Sequence, residues 1–221
     1  MSNLEKAIEN LKAGRFILVH DSGEREDETD MVLAAESATK EKIARMRLDA
    51  GGLICVAVGK SISERLGLPY MHDMQQDSSD KYPVLAKIVA NDIPYDEKSS
   101  FSVAVNHRKT FTGITDEDRA LTIREFGKLC ESPTIDDFGK SFRSPGHVHL
   151  LRSSGLENRQ GHTELSTALM RGASLTECAV ICEMLDGRTY TSLKAEKARE
   201  YAKKNRLVML ETDEIIEAYG R

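Results

Sequence analysis

The sequence predicts a mixed α/β fold, with helices packed on a central sheet. Short apolar runs of strand character alternate with helix-period segments along all 221 residues. Hydrophobic residues make up 40% and charged residues 30%, the balance of an ordinary globular chain, and enough to bury a core without disulfides or structural metal. No linker, internal repeat or low-complexity tract breaks the alternation, so a single domain is expected over 1–221.

Taken in order, Ser2-Asn3-Leu4-Glu5 reads as a capping box, followed by Leu4, Ala7, Ile8 and Leu11 at helical spacing and a stop at Gly14. Phe16 to Val19 is a buried strand. Met31 to Ala35 suits strand or helix. Thr39 to Ala50 is helical and ends at Gly51-Gly52; Leu53 to Val58 is a second buried strand; Ser61 to Glu64 caps a short helix. Residues 69–100 hold three of the five prolines and read as a long loop. Phe101 to Val105 is a strand, Asp116 to Cys130 a helix, Ser144-Pro145-Gly146 a turn and His147 to Leu151 a strand. His162 to Met170 is a helix ended by Gly172. Ala179 to Leu185 is a strand, 192–204 a polar helix, and Leu207 to Leu210 a last strand before a short helix.

Charge and composition exclude several functions. The net charge is -5 and the pI about 5.8, with no Lys/Arg-rich block, which argues against a nucleic-acid partner. No apolar run reaches the length of a membrane span, and the first residues are polar rather than signal-like, so no membrane partner and a cytoplasmic location are expected. Cys55, Cys130, Cys178 and Cys182 lack C-x-x-C spacing and sit in or beside apolar runs, the pattern of buried free thiols in a reducing compartment.

The most informative stretch is Asp21 to Asp30, with six carboxylates and one arginine directly after a buried strand. If it is extended, Glu24, Glu26, Glu28 and Asp30 share one side, with Arg25 and Asp27 on the other. Carboxylates so close repel by roughly 1 kcal/mol or more per pair at intermediate dielectric. A divalent cation between them relieves this, and hard oxygen donors suit Mg2+ or Mn2+. A carboxylate left unligated is a candidate acid or base. A solvated acidic loop is the alternative reading. The spacing does not match a calcium EF-hand loop, because Gly23 and Arg25 stand at its +2 and +4 positions.

A second cluster comprises Arg143, His147 and His149, then Arg159-Gln160-Gly161-His162-Thr163-Glu164. His162 stands at a helix start, where neutral imidazole is favoured and metal ligation is open to it. Arg159 and the amides of Gly161 to Thr163 make a plausible phosphate site. Glu183 ends an apolar run, where a carboxylate is costly unless paired or functional. A lone capping histidine and a glutamate leaving the sheet into water are the plain alternatives.

These pieces, in this order, resemble the 3,4-dihydroxy-2-butanone 4-phosphate synthase family. Its D-x-x-x-R-E-x-E-x-D segment matches Asp21 to Asp30. Its R-P-G-H, R-x-G-H-T-E and C-E motifs match Ser144 to His147, Arg159 to Glu164 and Cys182-Glu183. Thr112-Gly113-Ile114-Thr115 through Asp118-Arg119 matches a further family segment. Ser144 stands for the usual arginine, Thr29 for a glycine and Gln160 at a variable position. The His147–His162 spacing is slightly short and the middle loop is unlike bacterial members, features of an archaeal-type member. The end at Arg221 leaves no room for the GTP cyclohydrolase II domain of some relatives.

The resemblance implies a three-layer α-β-α sandwich with a mixed sheet. It implies conversion of D-ribulose 5-phosphate to 3,4-dihydroxy-2-butanone 4-phosphate and formate, in riboflavin biosynthesis. Mg2+ or Mn2+, one or two ions per site, would be held by Glu26 and His162. Arg25, Glu26, Asp30, Arg159, Gln160, Gly161, His162, Thr163 and Glu183 would hold substrate. Thr112 would reach the site of the other copy in a homodimer with shared active sites. His147, Glu183, Glu28, Asp30 and Asp21 would carry the chemistry, while Cys55 fits core packing better than a site role. Two other functions compete. A metal-dependent phosphosugar isomerase or aldolase would release no formate. A non-catalytic nucleotide- or RNA-binding module would need the basic groove that the acidic segment argues against.

Overall fold

The computed structural model describes residues 1–21 and 25–220, so Ser22, Gly23 and Glu24 of the acidic segment lie outside the described residues. Its strands are β1 (Ile17–His20), β2 (Thr29–Ala34), β3 (Cys55–Val58), β4 (Phe101–His107), β5 (Phe142–Arg152), β6 (Cys178–Glu183), β7 (Leu185–Asp186), β8 (Thr191–Ser192) and β9 (Met209–Glu211). Its α-helices are α1 (Asn3–Lys12), α2 (Lys40–Arg45), α3 (Lys60–Arg65), α4 (Met71–Asp77), α5 (Leu85–Ile88), α6 (Asp116–Glu131), α7 (Ile135–Ser141), α8 (His162–Gly172), α9 (Ala195–Asn205) and α10 (Thr212–Tyr219).

Seven strands form one sheet in the order β4-β5-β3-β6-β2-β1-β9. The β3–β5 and β1–β9 pairs are parallel and the others antiparallel, so the sheet is mixed. Strands β1, β2 and β3 are buried at every residue, which is why they read as unbroken apolar runs rather than alternating ones. Their alternate residues nevertheless feed two separate cores. Ile17, Val19, Val32, Ala57 and Ile181 pack with Leu11, Leu165, Leu169 and Ile215 of α1, α8 and α10. Leu18, Met31, Leu33, Val56 and Val180 pack with Ile43, Ile123, Phe126 and Ala202 of α2, α6 and α9. Helices therefore cover both faces, giving the three-layer α-β-α arrangement that the resemblance implies. Among the described residues no helix is long and apolar enough to cross a membrane, and all four cysteines are buried and free.

Local chemistry sets most boundaries. The Ser2 hydroxyl accepts the Glu5 N–H at 3.1 Å while the Glu5 carboxylate accepts the Ser2 N–H at 2.7 Å, the expected capping box. The helix from Lys40 widens to a π-turn over Met46–Ala50 and stops at Gly51, whose φ of 88° favours glycine.

Three expectations are corrected. Ser61 lies inside α3, and the cap is Gly59, which offers no side chain. Residues 69–100 are not one loop, since α4 and α5 lie within them. Ser144-Pro145-Gly146 does not turn the chain between elements but lies inside β5. Helix α7 and the β7–β8 hairpin were not anticipated; neither has a buried apolar periodicity long enough to announce it. Met31–Ala35, open between helix and strand, is strand as far as Ala34, in β2, and Ala35 begins a 3-10 turn.

Phe126 is fully buried and meets Phe138 and Phe142 edge-on, at 5.7 and 5.6 Å between ring centres. Phe126→Ala is expected to cost about 3–5 kcal/mol, read as a lower urea midpoint with an unchanged slope. A midpoint shift worth less than about 1 kcal/mol would show that this layer closes over the lost ring.

Candidate active site

The functional side chains meet at one end of the sheet because three strands end or begin there. Asp21 follows the last residue of β1, Asp30 is the second residue of β2, and Glu183 is the last of β6. Antiparallel register sets Asp30 directly opposite Glu183. Helix α8 starts beside them and delivers His162 and Thr163, both buried, at its first turn.

His162 is the centre of the cluster. Its Nδ1 lies 3.4 Å from Glu26 Oε2 and its Nε2 lies 3.7 Å from Asp30 Oδ1. Burial alone would lower the imidazole pKa, but the surrounding Asp30, Glu26 and Asp21 carboxylates outweigh it and raise it to about 9. Asp30 is pushed up to about 8, first by burial and then by Glu183, Glu26 and Glu28, against the pull of His162. Burial opposes ionisation of Glu26 as well, yet the His162 hydrogen bond and the Arg25 charge hold it down at about 2. Glu28 is raised by burial and by Glu26 and Glu183. Glu183 Oε2 accepts the Leu53 N–H at 2.7 Å, and a Cβ on Gly52 would lie 2.4 Å from that same oxygen, so only glycine lets the carboxylate seat there.

Carboxylates outnumber cationic groups in this cluster, which invites a cation. Asp21, Glu26 and His162 each offer a donor atom, and the three lie within 4.8 Å of one another. Asp30 Oδ1 and His162 Nε2 are buried without a hydrogen-bond partner. Two carboxylates and one imidazole suit a small divalent cation that keeps some of its water, so the donor set fits a Mg2+- or Mn2+-like ion.

Beside it lies a second, positive element. Arg25 Nη1 donates to Asp21 Oδ2 at 2.6 Å and lies 3.2 Å from Glu26 Oε2, while its guanidinium faces the Tyr95 ring at 5.1 Å. Arg159 donates from Nη1 to Glu164 Oε2 at 2.6 Å, and the other Glu164 oxygen accepts the Ser154 N–H at 3.0 Å. Both guanidiniums converge on Asp96 Oδ2, through Arg25 Nη2 and through Arg159 Nη2 and Nε at 2.7 and 3.0 Å. A Cβ on Gly161 would lie 2.4 Å from Arg159 Nη1 and 2.9 Å from Arg25 Cζ, so glycine is what admits both arginines to the start of α8. Two guanidiniums at a helix N-terminus form an anion site, and here a carboxylate from the segment before β4 takes that place. Glu26, Asp30, Asp96, Arg159, His162, Thr163 and Glu183 line a shared cavity of about 150 Å³.

The cluster thus unites Asp21, Arg25, Glu26, Asp30, Arg159, Gly161, His162, Thr163 and Glu183, with Glu28 acting on it electrostatically. The extended alternation expected for 24–30 is corrected: residues 25 and 26 lie in a turn, Asp27 has φ 54°, and Arg25 contacts Glu26 rather than facing away from it. Gln160 is exposed and does not line the cavity. His147 and Thr112 do not line it either; both gather around Asn106. Cys55 sits in the apolar layer, where burial pushes its thiol well up. Tyr95, Asp96 and Asn106 were not anticipated as parts of these clusters. Glu164 was expected in the second cluster without a role, which its pairing with Arg159 now supplies, whereas Asp96 lies in a stretch with no periodicity.

The 3,4-dihydroxy-2-butanone 4-phosphate synthase family model matches residues 5–218. The chain belongs to that family. A relative of the same name from Methanothermobacter thermautotrophicus is 53% identical over 218 residues, spanning 98% of this chain and 95% of that protein. A solved 3,4-dihydroxy-2-butanone 4-phosphate synthase in complex with two magnesium ions aligns with TM-score 0.79 and 29% identity, over 99% of this chain and 96% of that one. A two-domain synthase from A. baumannii aligns with TM-score 0.79 and 25% identity over 97% of this chain, which spans 57% of that protein's length.

If Asp96 competes for the anion site, Asp96→Asn is expected to bind inorganic phosphate about tenfold more tightly by calorimetry, the scale of one charged hydrogen bond. Weaker binding would mean that the arginines need Asp96 to face an anion.

Proposed function

We propose that this chain is a lyase converting D-ribulose 5-phosphate into L-3,4-dihydroxy-2-butanone 4-phosphate and formate, the four-carbon branch of riboflavin biosynthesis. It does so as a single cytoplasmic domain over 1–221 with a divalent cation, Mg2+ or Mn2+, held by Glu26 and His162. The observation that carries this reading is the meeting of two opposite sites: an acid–imidazole cluster lining the cavity, and beside it the Arg25 and Arg159 guanidiniums, which share the stand-in carboxylate of Asp96. A sugar phosphate has the matching two ends. Family membership and the magnesium complex of a solved relative support the metal and the substrate class.

Arg25 and Arg159 bind the phosphate in place of Asp96, and the α8 amides and the Thr163 hydroxyl complete its seat. That holds the ketose carbons against Glu26, Asp30 and His162. Asp30 and Glu183, adjacent across β2 and β6, take and return protons at the carbons beside the carbonyl. Burial and the charges of Glu183, Glu26 and Glu28 raise the Asp30 pKa, which suits Asp30 to hold and return a proton. Asp21 adds to the negative charge around His162. When bound, the cation supplies Lewis-acid stabilisation of negative charge on the substrate oxygens. The reaction needs no oxidant, because five carbons leave as four plus formate without net redox change.

His147 and Thr112 enter the site from a second copy of the chain. The support is their position: they lie together, exposed and off the cavity, with Phe111 and Ile114 beside them 93% and 52% exposed. A homodimer with shared sites would cover this apolar edge and bring both residues to substrate.

Incubation with ribulose 5-phosphate and Mg2+ is expected to release formate. Glu26→Gln and His162→Ala should each lose most of that activity and its metal dependence. Arg159→Ala should chiefly raise KM, by about 10- to 150-fold for a charged contact of roughly 1.5–3 kcal/mol. A folded protein that consumes the ketose and releases no formate would contradict the assignment and favour an isomerase or aldolase.

A further inference from the structure

Strands β4 and β5 pair through Ala104↔His149 and Val105↔Val148, and the next pair is Asn106↔Arg143. Residues 144–147 are therefore looped out of the ladder as a bulge of four residues. The Asn106 side chain, 4% exposed, fills the gap. Its Oδ1 accepts the His147 backbone N–H at 2.8 Å, and its Nδ2 donates to the Thr112 carbonyl at 3.5 Å. A backbone N–H only donates and a carbonyl only accepts, so these two contacts together orient the amide.

The His147 imidazole then meets a defined partner. Its Nδ1 lies 3.2 Å from Asn106 Nδ2 and 3.4 Å from Oδ1, so the nearer contact is with the donor end of the amide. An amide nitrogen has no lone pair to offer, so that contact is made with Nδ1 accepting and the neutral ring carrying its proton on Nε2. Neighbouring backbone holds the arrangement in place. A Cβ on Gly113 would lie 2.1 Å from Asn106 Nδ2, and one on Gly146 1.9 Å from the Val105 carbonyl carbon. Asp118 accepts the N–H groups of Thr112 and Gly113 at 3.1 and 2.8 Å, which fixes the carbonyl that Asn106 reaches.

The geometry points to Asn106 as a positioning residue that locks His147 in the Nε2–H tautomer, so that its neutral ring presents a hydrogen-bond donor, not a base, to substrate. The inference rests on the reading that His147 faces substrate. Under that reading His147 steadies negative charge on a substrate oxygen, and proton abstraction falls to the carboxylates.

Nitrogen-15 NMR of histidine-labelled full-length protein tests this directly, with the His147 signal assigned by its loss in His147→Gln. The expected signature, at a pH where the ring is neutral, is a protonated Nε2 and a bare Nδ1. The reverse pattern in the unaltered protein overturns the inference, and that measurement needs no variant of Asn106 to fold. Asn106→Asp offers only acceptors, so the proton should move to Nδ1, with kcat for formate release down by about tenfold or more and KM within about twofold. Asn106→Asp with the Nε2 proton retained, or with full turnover after the proton has moved, overturns the positioning role. Full formate release by His147→Gln would instead remove the reading of His147 beneath it, while leaving the tautomer result standing.

Discussion

Burial of His162 between Asp30 and Glu26 is the constraint on which the site depends. Asp30 is 1% exposed and His162 6% exposed, and neither would be stable in that environment alone. An uncompensated buried charge costs several kcal/mol, so each member of such a cluster is held by the others. The fold arranges this with few parts. Register between β2 and β6 sets Asp30 beside Glu183, and the first turn of α8 brings the imidazole across to them. Gly52 and Gly161 give way where a side chain would displace Glu183 or the arginines.

The electrostatics of the cluster follow from a surplus of acids. Asp21, Glu26, Glu28, Asp30 and Glu183 face one imidazole, and Arg25 neutralises only part of that charge. Retained protons answer part of that surplus: burial and the neighbouring acids push Asp30 upward, and the surrounding carboxylates raise His162 against the opposing effect of burial. A divalent cation meets it better. The same logic runs in reverse at the other end of the cavity, where Arg25 and Arg159 would face one another without an anion, and Asp96 answers that need. The molecule is therefore complementary to a ligand with a metal-chelating ketose at one end and a dianion at the other.

Much of this could be read from the sequence, for identifiable reasons. Strands buried on both faces leave unbroken apolar runs such as Ile17–Val19 and Val56–Val58, and helices announce themselves by caps such as Ser2–Glu5. The convergence of Glu26 with His162 was expected only from the family motifs, since no local rule brings residues so far apart in the chain together. The regular alternation expected around Glu26 failed because Asp27 adopts a left-handed conformation and the chain turns there. The Pro-Gly pair before His147 signalled a turn but not that the turn would be absorbed within a strand as a bulge. Asp96 and Asn106 act through contacts across the fold, and a carboxylate or amide in a polar stretch carries no local mark of that.

The most direct measurement is anomalous diffraction from crystals of the whole chain soaked in Mn2+. The account predicts a peak at bonding distance, about 2.0–2.3 Å, from a Glu26 oxygen and a His162 nitrogen, inside the cavity that Arg159 also lines. A manganese ion bound elsewhere, with Glu26 and His162 still paired to one another, would contradict it.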